Sequence, residues 1–254
     1  MTFELFSVDR HDDGTATLTI TRAEKLNAMN QAFFRELIAV VAHVETDDSL
    51  RAVVLTGSGR AFSAGGDIGS FSELDTIPAY RDHLRLVYDA FCAVERSRVA
   101  VIGAVNGIAY GGGTELTLAC DVAIASTDAR FAFREVTVGL TPGWGVVRGP
   151  DVIGRPWTKW LALTGDVVDA ARALEIGLVQ RVVEPDRLME ESLSLARRIA
   201  HNPPLATAVG KQFVNRGTTD GFAESIEAVA LLFATPDHKA AVRAFRDRPR
   251  GGVA

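Results

Sequence analysis

A glycine-rich stretch in the middle of the chain places the strongest constraint on fold and function. Residues 103–116 are GAVNGIAYGGGTEL, and they continue an apolar run that begins at Val99. The run predicts a buried strand, and ELTLA at 115–119 predicts the start of a short apolar helix. Consecutive glycines leave the backbone open to a ligand, and a helix that starts there directs unpaired N–H groups into the turn. The stretch therefore predicts a cradle for a developing oxyanion, with the Glu115 carboxylate in the first helical turn.

Short strands and helices alternate along most of the chain. Hydrophobic periodicity predicts strands at 15–21, 53–56, 99–105, 122–125, 130–133 and 179–183. It predicts helices at 30–47, 79–96, 158–163, 169–176, 185–201, 203–215, 219–234 and 237–246, and a surface loop at 70–80. This alternation favours the α/β class. The last helices carry apolar residues on more than one face, which favours contact with a neighbouring subunit; an internal helical layer is the alternative.

Composition excludes several classes of protein. The chain has 254 residues, 47% of them hydrophobic and 23% charged, which suits one sizeable core. A net charge of −5 argues against nucleic-acid binding. No apolar run is long enough for a membrane span, and the first residues do not resemble a signal peptide, so we expect a cytoplasmic protein. Cys92 and Cys120 form no CxxC, and the histidines form no HxH or HExxH, so we expect no metal site.

A second glycine-rich turn and two glutamates complete the candidate chemistry. The turn, FSAGGDI at 62–68, also follows a predicted strand. If each turn offers one backbone N–H to the same oxygen, the pair forms an oxyanion hole, worth ~3–4 kcal/mol per donor; singly, each turn also fits an ordinary structural loop. Glu115 lies between small residues and the apolar Leu116, and Glu135 follows the apolar segment 131–133. A carboxylate beside a buried apolar segment is costly unless it is used, paired or protonated. Two such groups can divide acid and base roles, but structural ion pairs, such as Glu135 with Arg134, remain an alternative.

Several motifs, in order, resemble the enoyl-CoA hydratase/isomerase (crotonase) superfamily over essentially the whole chain. They are KLNAM at 25–29, FSAGGDI at 62–68, GAVNG at 103–107, GGGTE at 111–115, FAFRE at 131–135 with Gly139, Pro142 and Gly143, FATPD at 233–237, and Ala244 with Phe245. The resemblance implies an α/β crotonase (ClpP-like) ββα superhelix. It implies a core domain at 1–190, with CoA and the active site, and a C-terminal helical trimerisation region at 191–254. The implied assembly is a homotrimer or a dimer of trimers.

The resemblance also implies roles for individual residues. The N–H groups of Ala64 and Gly112 would form the oxyanion hole for the thioester oxygen. Glu115, as carboxylate, would help activate water for attack at C3, and Glu135, as acid, would supply the C2 proton. The residues implied in substrate and CoA binding are Lys25, Ala28, Ala64, Gly66, Asp67, Ile68, Gly112, Gly143, Trp144, Phe245 and Arg248, the last two reaching the CoA of a neighbouring subunit. No metal or redox cofactor is implied, since coenzyme A belongs to the substrate.

Three departures from the family pattern bear on the reaction. Phe133-Arg134 stands where typical hydratases have Gln-Pro, and the adjacent guanidinium is expected to lower the pKa of Glu135. Trp144 replaces a small residue, which predicts a shortened or reshaped acyl pocket. Thr114 replaces a small thiol.

The retained pair of glutamates favours an enoyl-CoA hydratase, which adds water to a 2-trans-enoyl-CoA to give a 3-hydroxyacyl-CoA. The runner-up is a Δ3,Δ2-enoyl-CoA isomerase in which one glutamate, Glu135, carries the proton. A non-enzymatic alternative is an acyl-CoA-binding scaffold. A related peptidase would need a Ser/His/Asp set, and no histidine lies beside the two glycine-rich turns or the two glutamates in the sequence.

Overall fold

The computed structural model describes residues 2–73, 76–216 and 235–240. Its strands are β1 (Phe6–Arg10), β2 (Thr15–Ile20), β3 (Ala52–Gly57), β4 (Ala61–Ser63), β5 (Ala100–Val105), β6 (Ile108–Tyr110), β7 (Val122–Ser126), β8 (Arg130–Ala132), β9 (Val168–Asp169) and β10 (Arg181–Val183). Its α-helices are α1 (Gln31–Glu45), α2 (Ile77–Arg96), α3 (Gly112–Ala119), α4 (Gly145–Val152), α5 (Gly154–Thr164), α6 (Ala170–Glu175), α7 (Leu188–Ala200) and α8 (Pro204–Arg216). Short 3-10 helices cover Ala23–Lys25, Ile68–Glu73, Glu135–Val138 and Pro185–Arg187.

The strands form two sheets that share a repeated connection. The six-stranded sheet has the order β1-β2-β3-β5-β7-β10, and only β1 and β2 are antiparallel. The four-stranded sheet has the order β4-β6-β8-β9, with β9 antiparallel to β8. Strands β3, β5 and β7 of the large sheet continue into β4, β6 and β8 of the small one, and a helix follows each pair. This repeat is the ββα superhelix that the family resemblance implied.

Alternating side chains bury both faces of the large sheet. Val53, Leu55 and Val101 lie in the apolar core that includes the buried face of α1. Val54 and Ile102, one residue away, pack on the other side with residues of α7. Successive side chains of a strand point to opposite faces, so burial of both faces explains why these strands are continuously apolar.

Helix α1 begins where the sequence predicted. The Asn30 side chain accepts a hydrogen bond from the Phe33 N–H at 2.9 Å and caps the helix. Phe33, Leu37 and Val44 recur at helical spacing and are buried. Among the described residues, no helix is long and apolar enough to cross a bilayer.

The chain divides into two compact units, Met1–Ala200 and His201–Ala254. The first unit extends beyond the predicted core boundary at residue 190, because α7 packs on β3, β5 and β7. The C-terminal helices predicted at 219–234 and 237–246 lie largely outside the described residues.

Some short elements were not predicted. Strand β6 has only three residues and lies inside the glycine-rich stretch, too short for periodicity to reveal. Helix α4 follows a turn-rich segment and contains Pro150. The predicted loop at 70–80 was wrong in part, because a 3-10 helix covers Ile68–Glu73 and α2 begins at Ile77.

Candidate active site

Two glutamates, one buried and one half-buried, converge on the glycine-rich turn that precedes α3. Glu115 lies in the first turn of α3, is only 5% exposed, and accepts a hydrogen bond on Oε1 from the Gly145 N–H at 2.7 Å. Glu135 begins the 3-10 helix after β8, and its Oε2 is buried without a hydrogen-bond partner among the described residues. Its Oε1 lies 2.5 Å from where a Cβ on Gly111 would stand. A glycine is therefore required at 111, where φ is also +51°.

Thr114 fixes this turn against the small sheet. Its Oγ1 donates to the Ala109 carbonyl at 2.6 Å and accepts from the Ala132 N–H at 3.2 Å. The Gly111 N–H donates to the Ala132 carbonyl at 2.8 Å. The start of α3 is thus held to both β6 and β8, and β8 leads directly into Glu135. This threonine, a departure from the family pattern, has a definite structural use.

The buried site raises the pKa of both glutamates. For Glu115, burial and then the charge of Glu135 raise the pKa to about 7, although the Gly145 N–H opposes the change. For Glu135, burial raises the pKa. The expectation that Arg134 lowers the pKa of Glu135 was wrong. Arg134 is exposed, donates from Nη1 to the Gly165 carbonyl at 2.9 Å, and forms no ion pair with Glu135 in the part of the chain that the structure describes.

The structure corrects the predicted oxyanion donor in the turn at 62–68, which is the first of the two glycine-rich turns along the chain. The Ala64 N–H donates to the Leu26 carbonyl at 2.9 Å, so the assignment of this amide to the hole was wrong. The N–H of Gly66 is not used in this way. The backbone hydrogen bonds to Met29 are made by the residues on either side of it, Gly65 and Asp67. The Met29 N–H donates to the Gly65 carbonyl and the Asp67 N–H donates to the Met29 carbonyl, both at 2.8 Å.

This parallel bridge between Met29 and Gly66 turns the peptide groups of Gly66 itself away from Met29. The Gly66 N–H has no partner among the described residues. Gly66 had been assigned to CoA binding, and sequence alone could not have separated it from Ala64, because both stand in the same motif.

The second donor, Gly112, stands beside the first turn. It is the first residue of α3, and the first three N–H groups of a helix have no partner inside it. The Gly112 nitrogen lies 3.3 Å from where a Cβ on Gly65 would stand. A Cβ on Gly113 would stand 2.2 Å from the Ser63 carbonyl oxygen. The backbones of the two turns are therefore in contact. This contact brings the free N–H groups of Gly66 and Gly112 close together.

The residues predicted to bind CoA divide into two groups. Lys25, Gly66 and Ile68 are exposed, as a ligand requires. Asp67 is instead held by Arg22, whose Nη2 lies 2.8 Å from the Asp67 carboxylate. Arg22 also donates from Nη1 to the Ala28 carbonyl at 2.8 Å. Arg22 thus ties the 25–28 loop to the turn at 62–68, and no sequence pattern had singled it out.

Trp144 is a packing residue in this structure. Its side chain is 3% exposed and meets Phe91 edge-on, with ring centroids 5.7 Å apart. The residue beside Gly143 is Tyr88, whose hydroxyl lies 3.4 Å from a Cβ built on that glycine. The buried indole therefore gives no support to the prediction that Trp144 reshapes the acyl pocket.

Two tyrosines of α2 lie close enough to the glutamates to feel their charge, and no sequence pattern had singled them out. Burial raises the pKa of Tyr80, with further contributions from the charges of Glu135 and Glu115. Burial raises the pKa of Tyr88 as well, followed by the charge of Glu115. Their spacing of eight residues on one helix face was the available signal.

Two predicted residues, Phe245 and Arg248, lie outside the described residues. Within residues 2–73, 76–216 and 235–240, no cluster of three or more His, Cys, Asp or Glu side chains could hold a metal ion.

Comparison with known proteins decides the family. Residues 10–249 match the family described as enoyl-CoA hydratase/isomerase. The chain belongs to the enoyl-CoA hydratase/isomerase family.

Individual members of this family are similar over nearly their whole length. The short-chain-enoyl-CoA hydratase of Clostridium acetobutylicum is 38% identical across 96% of both chains. The crotonyl-CoA hydratase of Syntrophomonas wolfei is 38% identical across 93% of both chains. The crystal structure of an enoyl-CoA hydratase from Mycobacterium smegmatis superposes with a TM-score of 0.93 at 33% identity, over 98% of both chains. The crotonase fold of this family member is therefore established.

Proposed function

We propose that this protein is an enoyl-CoA hydratase that reversibly adds water to a 2-trans-enoyl-CoA to give a 3-hydroxyacyl-CoA. The observation that carries the proposal is the convergence of the buried Glu115 and the half-buried Glu135, whose Oε2 is buried, on a turn that offers free backbone N–H groups. The names of the two curated relatives described above support the same reaction.

The geometry supports a defined division of roles. The N–H groups of Gly66 and Gly112 donate to the thioester oxygen and stabilise the enolate that forms. Glu115, as carboxylate, accepts a proton from water while the water oxygen bonds to C3. Glu135, as acid, delivers its proton to C2, so that the product gains one water. The two glutamates exchange roles in the reverse dehydration.

The raised pKa values suit this division. A general base works best when its pKa lies near the operating pH, and the pKa of Glu115 is raised to about 7. Burial raises the pKa of Glu135, which keeps this group protonated at higher pH than an ordinary glutamate. Because the two carboxyl groups interact, the pair holds its protons jointly.

Incubation with a panel of 2-enoyl- and 3-enoyl-CoA substrates of several chain lengths tests the function. A hydratase consumes crotonyl-CoA with loss of the conjugated thioester absorbance and a product heavier by one water. An isomerase converts a 3-enoyl-CoA without a change in mass, and a scaffold binds acyl-CoA without turnover. Either of the last two results alone would contradict the proposal.

The pH profile provides a separate prediction. Below its pKa, Glu115 takes up a proton and cannot accept one from water, so kcat/KM should fall as the pH drops through about 7. An ordinary glutamate would place this fall near 4.5. Initial rates of crotonyl-CoA hydration in buffers of constant ionic strength measure the profile. A rate that stays constant between about pH 5 and 8 would show that no group with such a pKa is required.

The corrected oxyanion hole predicts which amides respond to ligand. In protein labelled with 15N-glycine and 15N-alanine, saturation with acetoacetyl-CoA should move the amide proton signals of Gly66 and Gly112 downfield. The Ala64 signal should move least, because its N–H already donates to the Leu26 carbonyl. A large shift at Ala64 with none at Gly66 would restore the original assignment.

The assembly and location also belong to the proposal. We propose a homotrimer or a dimer of trimers in the cytoplasm, with a role in fatty acid metabolism and no requirement for a metal or redox cofactor. The family resemblance supports these statements. Light scattering on the purified protein tests the assembly, and a monomer at working concentration would remove the roles given to Phe245 and Arg248 of a neighbouring subunit.

A further inference from the structure

An ion pair outside the predicted site is connected to Glu115 by a single helical turn. We propose that Arg148 and Glu95 are positioning residues that hold the first turn of α4, and thereby the Gly145 N–H, against the Glu115 carboxylate. The inference rests on the proposed hydratase function for its kinetic readout.

The ion pair is close, with Glu95 buried and Arg148 half-buried. Arg148 donates from Nε and Nη2 to the Glu95 Oε2 at 3.3 and 3.1 Å, and its Nη2 lies 3.0 Å from the Glu95 Oε1. Glu95 is 8% exposed, at the C-terminal end of α2. A forked contact of this kind between guanidinium and carboxylate fixes relative orientation as well as distance. The pair therefore joins α4 to α2 with defined geometry.

The same turn of α4 carries the Glu115 contact. The Arg148 N–H donates to the Trp144 carbonyl at 3.0 Å, while the Gly145 N–H donates to Glu115. The Arg148 guanidinium also lies 5.9 Å from the centre of the Trp144 ring. That ring meets Phe91, which lies one turn before Glu95 on α2. Two side chains from one face of α2 thus fix the turn that presents the Gly145 N–H.

Local capping does not hold this turn. Helix α4 has Trp144 at its N-cap, and the side chain of this residue makes no capping hydrogen bond. The space around Gly145 is also narrow, since a Cβ there would stand 2.7 Å from Phe133 Cζ and 3.3 Å from Glu115 Cγ. Hydrogen bonds weaken steeply with distance and angle, so a small shift of α4 would weaken the bond to Glu115. A weaker bond stabilises the ionised carboxylate less and raises its pKa.

The test uses Arg148→Met and Glu95→Gln, with Arg172→Met as the matched control. Arg172 also has both an ion-pair partner, Glu175, and an indole, Trp157, at 5.4 Å, but it is exposed on the surface of α6. Two readouts are used: the pH of half-maximal kcat/KM for crotonyl-CoA, and titration of the Glu115 carboxyl signal in 13C-glutamate-labelled free protein, assigned with Glu115→Gln.

We expect both variants to move the Glu115 midpoint to higher pH and to lower kcat about tenfold with little change in KM. The control should move neither readout.

Opposite shifts, or none, would overturn the inference. If the two groups acted only through their charges, loss of the cation would raise the Glu115 midpoint and loss of the anion would lower it. If the pair were only structural, the melting temperature would fall and the Glu115 midpoint would not change.

Arg148→Lys, which keeps the charge and one contact, serves if Arg148→Met fails to fold. It should shift the Glu115 midpoint less than Glu95→Gln does. If the wild type does not hydrate crotonyl-CoA, the proposed function fails, whereas the carboxyl titration still tests the positioning.

Discussion

Replacing Glu115 by glutamine should lower kcat for crotonyl-CoA hydration by about a thousandfold. The amide keeps the size of the side chain and can still accept the hydrogen bond from the Gly145 N–H, which is 2.7 Å long in the structure. It cannot accept a proton from water, so the variant loses the base while the site keeps its shape. Initial rates with saturating crotonyl-CoA measure the loss, and KM should change little because the thioester contacts are untouched.

The matched control is Glu175→Gln, which changes the same functional group on the exposed surface of α6. It should keep kcat within twofold of the wild type. If Glu115→Gln retained more than about a tenth of the wild-type kcat, Glu115 would not be the base, and the two-glutamate scheme would be wrong for this protein.

The same variant should be more stable than the wild type at alkaline pH. Folding raises the pKa of Glu115 from 4.5 to about 7, so in this range the folded protein binds the proton more tightly than the unfolded chain does. The free energy of unfolding therefore falls as the pH rises through that window. Glutamine removes this loss, with a gain of up to about 3 kcal/mol above the window and none below it. Urea unfolding of both proteins, at a pH below the window and at a pH above it, measures this gain. If the variant and the wild type were equally stable above the window, burial of an ionised Glu115 would be contradicted.

Gly113→Ala should lower kcat by about a hundredfold or more, the loss expected when one oxyanion donor is removed. A Cβ at this position would stand 2.2 Å from the Ser63 carbonyl oxygen and 3.1 Å from its carbon. These are backbone atoms of β4, so the contact cannot be relieved by a side-chain rotation. The start of α3 must move away from the first turn, which separates the Gly112 N–H from that of Gly66.

Gly210→Ala, in α8, is the matched control for this glycine. A Cβ there meets nothing within 4 Å, and alanine favours a helix interior by about 1 kcal/mol over glycine. It should leave kcat unchanged and stability equal or higher. Far-UV circular dichroism and thermal melting establish that the Gly113→Ala protein is folded at the assay temperature. A folded Gly113→Ala protein with wild-type kcat would show that contact between the two turns is not needed for the reaction.

Much of the fold followed from the sequence. Helix α1 was predictable because Asn30 supplies a cap and apolar residues recur at helical spacing. Strands β3 and β5 were predictable because both faces are buried and the residues are continuously apolar. The ββα arrangement itself came from the family resemblance, since β4, β6 and β8 have only three residues each.

The candidate site was predictable in part. Both glutamates were singled out because each stands next to an apolar segment, and the structure buries Glu115 and the Oε2 atom of Glu135. The donor in the first turn was assigned to the wrong residue, because a glycine-rich motif does not show which of its N–H groups bonds elsewhere. The effect of Arg134 on Glu135 was also wrong, since neighbours in sequence at the start of a 3-10 helix direct their side chains apart, and Arg134 bonds to Gly165.

By itself the sequence determined which residue types and backbone turns this protein has for chemistry: two glycine-rich turns, each after a strand, and two carboxylates next to apolar segments. These are local properties, fixed by composition and periodicity along the chain. Only the tertiary structure decided which groups are available. The use of the Ala64 N–H by Leu26, the freedom of the Gly66 N–H, the contact of Gly145 with Glu115 and the anchoring of α4 by Glu95 all depend on segments distant in sequence. Whether a hydrogen-bonding group is free for a substrate depends on what packs against it, and packing is set by the whole fold.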